Sequence, residues 1–126
     1  MDGAILAFFH GHEGALPLYA AWEKRLREAV GEAAVRVQKT QISFYRKRLF
    51  ACVSFLPVRR AKDRPRDFIT VTFGLPYRVL SDRIDGACEP YPHRWTHHVL
   101  IGASSEIDGE LMGWIREAAA FAEAKK

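Results

Sequence analysis

The stretch Val35-Arg36-Val37-Gln38-Lys39-Thr40-Gln41-Ile42-Ser43-Phe44-Tyr45-Arg46-Lys47-Arg48-Leu49-Phe50-Ala51-Cys52-Val53-Ser54-Phe55-Leu56 decides the fold. Val35 and Val37 alternate with Arg36 and Gln38, and Ile42 and Phe44 alternate with Gln41, Ser43 and Tyr45. A period of two sends successive side chains to opposite faces of an extended chain, which is the signature of a half-buried strand. Arg46-Lys47-Arg48 reads as a charged connection, so 41–45 and 50–56 form a predicted β-hairpin.

Beyond the hairpin, Pro57 to Pro65 is a polar, strongly basic loop. Phe68-Ile69-Thr70-Val71-Thr72-Phe73 is a β-branched and aromatic strand, with Gly74 and Pro76 placed to stop it. Residues 77–94 read as irregular, with Pro90 and Pro92 flanking Tyr91, and Arg94–Ile101 reads as a last strand. Toward the N-terminus, Leu16, Tyr19, Trp22, Leu26, Ala29 and Val30 recur at helical spacing and predict a helix from about Ala15 to Val30. Pro17 falls in its first turn, where a missing N–H is harmless, and Gly31 is placed to end it. Residues 4–9 form a short helix or a docked apolar arm, broken by His10-Gly11-His12-Glu13-Gly14.

At the other end, Ser105-Glu106-Ile107-Asp108 matches a capping box. Ile107, Leu111, Trp114, Ile115, Ala118, Phe121 and Ala122 then make an apolar helical stripe. The order α-β-β-β-β-β-α with short links lacks the βαβ rhythm of a parallel sheet. The expectation is one α+β domain over residues 1–126: an antiparallel sheet of about five strands with the N- and C-terminal helices on one face.

With 48% hydrophobic and 27% charged residues in a chain of 126, there is material for one buried core. No apolar run approaches the ~20 residues of a membrane-spanning helix. The N-terminal apolar stretch lacks the cationic flank and the length of a signal peptide, so a cytoplasmic location is expected, with no membrane partner. Cys52 and Cys88 are expected as free thiols, since a domain of this size needs no bridge. His10-Gly11-His12-Glu13 lacks the spacing that sets two imidazoles on one helix face and reads as a surface loop. No metal and no cofactor is expected. The absence of a phosphate-cradling Gly-x-x-x-x-Gly-Lys, a dinucleotide fingerprint and a Gly-x-Ser-x-Gly elbow turns the reading away from familiar enzyme classes, and no catalytic residue is assigned.

Charge is unevenly distributed. Residues 36–66 hold ten basic side chains and one acid, Asp63, a net +9; the remaining nine basic and fourteen acidic groups sum to −5. Arg46, Lys47, Arg59, Arg60, Arg64 and Arg66 are therefore candidate contacts to an anion or nucleic acid. A second candidate lies on the last strand, where Trp95, His97, Val99 and Ile101 share one face and Thr96, His98 and Leu100 the other. The more apolar face should meet the helices, leaving His98 on the open face. Lys39, Gln41, Tyr45, Trp95, His97 and His98 are the candidate ligand-binding residues.

Four segments also carry a resemblance: Val35 to Phe44 with its Lys39-Thr40-Gln41, Phe50-Ala51-Cys52-Val53, Arg94-Trp95-Thr96-His97-His98-Val99, and Glu110-Leu111-Met112-Gly113-Trp114-Ile115. Together they resemble the bacterial family DUF5655, a domain of unknown function. The resemblance implies a small α+β domain found alone or fused behind other domains, and it supplies no activity. The residues themselves favour a non-enzymatic binding module for an acidic partner, nucleic acid or a phosphorylated small molecule, engaged through the basic hairpin and loop 46–66. The alternatives are a protein-interaction or structural module, including a homodimer through an exposed strand edge, and an enzyme with a pocket around Lys39, Gln41, Trp95 and His98.

Overall fold

The predicted hairpin is present. In the computed structural model, which describes residues 2–124, β2 (Gln41–Tyr45) pairs antiparallel with β3 (Leu49–Ser54), matching Ile42 to Val53 and Ser43 to Cys52. A bulge between Phe44 and Tyr45 brings Leu49 opposite Tyr45. β1 (Ala34–Val37) pairs with β2 through the tight turn at Lys39 and Thr40, where the Gln38 N–H donates to the Gln41 carbonyl at 2.8 Å.

β4 (Ile69–Leu75) lies beside β3 and beside β6 (Arg94–Ile101), and β5 (Gly86–Tyr91) takes the outer edge. The sheet is antiparallel throughout, with six strands in the order β1-β2-β3-β4-β6-β5. Two sequence expectations change here. Residues 77–94, expected to be irregular, contain β5, whose Pro90 is tolerated because an edge strand needs no inward N–H at that position and the register shifts between Cys88 and Tyr91. β4 also runs through Gly74 to Leu75 rather than stopping at the glycine, since the Gly74–Thr96 and Leu75–Trp95 pairings continue the ladder.

One face of the sheet is apolar. Ile42 and Phe44, Ala51 and Val53, Ile69, Val71 and Phe73, and Val99 and Ile101 are all buried there. They pack against α2 (Leu16–Val30) through Leu18, Tyr19, Trp22 and Leu26, and against α3 (Gly109–Ala124) through Leu111, Ile115, Ala118 and Ala122. Trp22 meets Phe44 edge-on with ring centroids 5.7 Å apart. Leu16, Ala29 and Val30 are only half-buried, while Leu18, outside the predicted stripe, is buried. Gly31 closes α2 at φ 77°, a left-handed conformation in which a side chain would be strained, and its N–H bonds to the Arg27 carbonyl.

The capping box at Ser105 is not the start of α3. Residues Ser104–Glu106 form a 3₁₀ turn in which the Glu106 carboxylate accepts from the Gly102 and Ala103 N–H groups. The cap is Asp108, whose Oδ1 accepts from the Leu111 N–H at 3.0 Å. The short helix α1 (Gly3–Phe8) is capped by Asp2 and drives Phe9 into the core against Tyr19. Cys52 and Cys88 are free thiols. No helix among the described residues is long and apolar enough to cross a membrane.

Candidate functional site

The alternation that fills the apolar face leaves small polar side chains on the other. Ladder register aligns them in rows across the sheet: Gln41 opposite Ser54 and Ser54 opposite Thr70, then Ser43, Cys52, Thr72 and His98 in a second row. Neither helix covers these rows. A cavity of about 550 Å³ opens over them, floored by Gln41, Cys52, Ser54, Thr72 and His98. Its rim is the β1–β2 turn with Lys39 and Thr40, the N-terminal arm with Phe8, His10 and His12, and the end of β3 with Phe55 and Leu56.

Hydrogen bonds hold each of these segments in place. Gln41 Nε2 donates to Ser43 Oγ at 2.8 Å, and Ser43 Oγ donates to Gln38 Oε1 at 2.6 Å, so the turn that presents Lys39 is tied at its base. Thr70 Oγ1 donates to the Leu56 carbonyl at 2.8 Å, and the Leu56 N–H donates to Ser54 Oγ at 3.2 Å, which pins the chain where Phe55 leaves the sheet. Phe55 is stacked on Phe8 with centroids 5.2 Å apart and on His12 with centroids 3.9 Å apart.

At the floor, Thr72 Oγ1 and His98 Nδ1 are 2.8 Å apart. Burial holds the His98 imidazole below its ordinary pKa, so the ring is neutral at pH 7. Burial pushes the Cys52 thiol up, opposed by its hydrogen bond with Thr72, and the sulfur is therefore a poor nucleophile as it stands. The lining residues comprise one lysine and three histidines and include no carboxylate. The nearest acid in sequence is Glu13, an exposed group beside His10 whose carboxylate accepts from the Gly11 N–H and is held below the usual carboxylate range by that bond.

The structure brings together Lys39, Gln41 and His98 among the predicted ligand residues, and separates the other three. His97 and Trp95 point to the helix-covered side. His97 is fully buried, stacked on Phe73 at 5.1 Å, and its Nε2 accepts from the Val79 N–H at 3.0 Å, which anchors the chain leading to β5. Trp95 is half-buried under the guanidinium of Arg78. Tyr45 lies at the far end of β2 from Gln41, with the Arg36 guanidinium over its ring.

The basic residues do not form one surface. Arg46 and Lys47 sit in the β2–β3 turn, and Arg59, Arg60, Arg64 and Arg66 follow the opposite end of β3, a strand of six residues spanning roughly 20 Å. Several are already engaged. Arg46 pairs with Glu123 at 3.1 Å and donates to the Val30 carbonyl at the end of α2. Arg59 Nε donates to Asp85 Oδ1 at 2.7 Å, while Asp85 Oδ2 accepts from the Leu100 N–H at 2.7 Å, so this pair staples the loop to β6. Arg60 pairs with Asp63 at 3.3 Å. Lys47, Arg64 and Arg66 carry no ion pair among the described residues.

Sequence reasoning missed Phe8, His10, His12, Cys52, Ser54, Phe55, Leu56 and Thr72 as pocket residues. The signal for two of them was available: if β3, β4 and β6 are neighbours, Cys52 and Thr72 fall on one face with the predicted His98 by alternation. Their mutual register needs the strand order, which alternation does not contain. His10 and His12 occupy an exposed loop as expected, and no group of metal-ligating side chains occurs among the described residues.

The fold and pocket define a small α+β domain with a helix-covered face and a polar, pocketed open face. Residues 6–122 match the family described as domain of unknown function (DUF5655), nearly the whole chain, and the protein belongs to that family. No curated protein and no solved structure matches it.

Proposed function

We propose that this protein is a binding domain for a small anionic ligand held in the open-face pocket. The observation that carries the reading is the composition of the lining: Lys39 with His10, His12 and His98, a floor of hydroxyl and amide groups, and no carboxylate. An anion entering such a site gains a cation at the rim and uncharged hydrogen-bond donors below it, and meets no repulsive charge among the lining residues. The acidic partner expected from the basic middle of the chain is thus kept, and its contact surface moves from loop 46–66 to the pocket. The loop arginines that pair with Asp85 and Asp63 act as staples in this reading.

Calorimetric titration with inorganic phosphate and acetate, on the wild type and Lys39→Ala, tests it. Lys39 is exposed, so its loss weakens the anion by about fivefold, the scale of a solvent-screened ion pair. Equal affinity in both proteins, or no binding of either anion at millimolar concentration, would overturn the reading.

A further inference from the structure

The apolar part of the pocket is aromatic on one side only. Phe8, Phe55 and His12 lie nearly parallel, with interplanar angles of 20° for Phe8–Phe55 and 13° for Phe55–His12. Phe8 and Phe55 are half-buried although both are apolar, and His12 is exposed although its ring is stacked. This wall comes from two separate pieces of chain, the end of α1 with its following loop and the exit of β3, and both line the cavity. Phe8 and Phe55 rest on the core through Phe9, which is fully buried against Tyr19 and meets both rings edge-on at 5.5 and 5.2 Å, yet both stay half-buried on the cavity side.

Across from the wall the floor presents Gln41, Ser54, Thr72 and His98, groups that donate and accept in fixed directions because each strand holds them by register. Because these three rings stack on one another, a flat ring would meet the stack edge-on or cover the outer face of His12, with its own edge toward the polar floor. An aliphatic anion would leave the wall in water.

Building on the anion-binding reading, we infer that the ligand is a planar aromatic or heteroaromatic acid or phosphate ester, its ring packed on the Phe8–Phe55–His12 wall and its anionic group paired with Lys39. The cavity of about 550 Å³ accommodates a ring with its charged substituent. His12 is the outermost ring of the wall, and Phe55 is the ring both neighbours share.

The test compares phenyl phosphate, methyl phosphate, inorganic phosphate and benzyl alcohol by calorimetry on the wild type, His12→Ala and Phe55→Leu. His12 is exposed and outside the core, so its variant folds whatever Phe55→Leu does. The inference expects phenyl phosphate to bind about tenfold more tightly than methyl phosphate, with that preference reduced to about threefold or less in His12→Ala. Equal affinity for phenyl and methyl phosphate would overturn the ring assignment and leave the anion pocket standing. Benzyl alcohol binding as tightly as phenyl phosphate would overturn the anion reading instead. Binding of none of the four would overturn both.

Discussion

Thr72 and His98 face each other across β4 and β6, and their 2.8 Å contact fixes how the imidazole presents itself to the pocket. A histidine bonded through one ring nitrogen has its tautomer set by that bond. Thr72→Val keeps the shape and removes the hydroxyl, so the His98 ring nitrogens should move from a one-sided tautomer ratio toward the mixture of a free imidazole. Long-range ¹H–¹⁵N spectra of the ring read this directly, and an unchanged ratio would show that Thr72 does not orient it. The cost to stability should be about 1 kcal/mol, the scale of one hydrogen bond. The contrast between His97 and His98 was legible from alternation alone, because adjacent residues on a strand take opposite faces. The grouping of Trp95 with the pocket was not supported by that same alternation, since Trp95 shares a face with His97.

Elements show where the sequence signal ran out. α2, α3 and the hairpin expected over 41–45 and 50–56 carry strong periodicity and all formed, although β3 ends at Ser54 and α3 begins at Gly109, a turn after the Ser105 box. β5 carries none: Gly86-Ala87-Cys88-Glu89-Pro90-Tyr91 is an exposed edge whose pairing comes from β6 and from contacts distant in sequence. Chief among those contacts is Asp85, which ties Arg59 and the Leu100 N–H together just before β5 begins. Asp85→Ala removes both bonds and leaves a half-buried guanidinium and a buried N–H without their acceptor. Urea unfolding should show a loss of about 2–3 kcal/mol, less than for a fully buried pair because Arg59 is partly exposed. A loss under about 0.5 kcal/mol would mean that water replaces the carboxylate without penalty. The pairing also explains why counting loop charges overstated the basic surface: net charge per segment says nothing of acids that arrive from elsewhere in the fold.

At the scale of the molecule, two imidazoles are held neutral on opposite faces of one sheet. Burial lowers the pKa of both His97 and His98, with Arg78 and His98 adding repulsion to His97. A group whose folded pKa lies below its unfolded value of about 6.5 binds fewer protons in the fold than in the unfolded chain. Stability from these groups is therefore complete above that value and is lost as pH falls from about 6.5 toward the lowered folded values. Unfolding free energy should decline between pH 7.5 and pH 5.5, and His97→Phe should flatten the decline while lowering stability at pH 7.5, because the Val79 N–H loses its acceptor. A variant whose pH profile parallels the wild type would remove His97 from this account.

The separation of the molecule into a helix-covered apolar face and an open face carrying His98 was foreseeable from binary pattern, and the pocket on that face was not, because its rim depends on Phe8 meeting Phe55 across 46 residues of intervening chain. In the proposed function, anions enter this pocket and do not settle on the basic loop. Mapping amide shifts in ¹⁵N-labelled protein during a titration with phenyl phosphate tests it most directly. Perturbations should cluster at Thr40, Gln41, Cys52, Thr72 and His98. Shifts confined to residues 59–66, with the pocket silent, would contradict it.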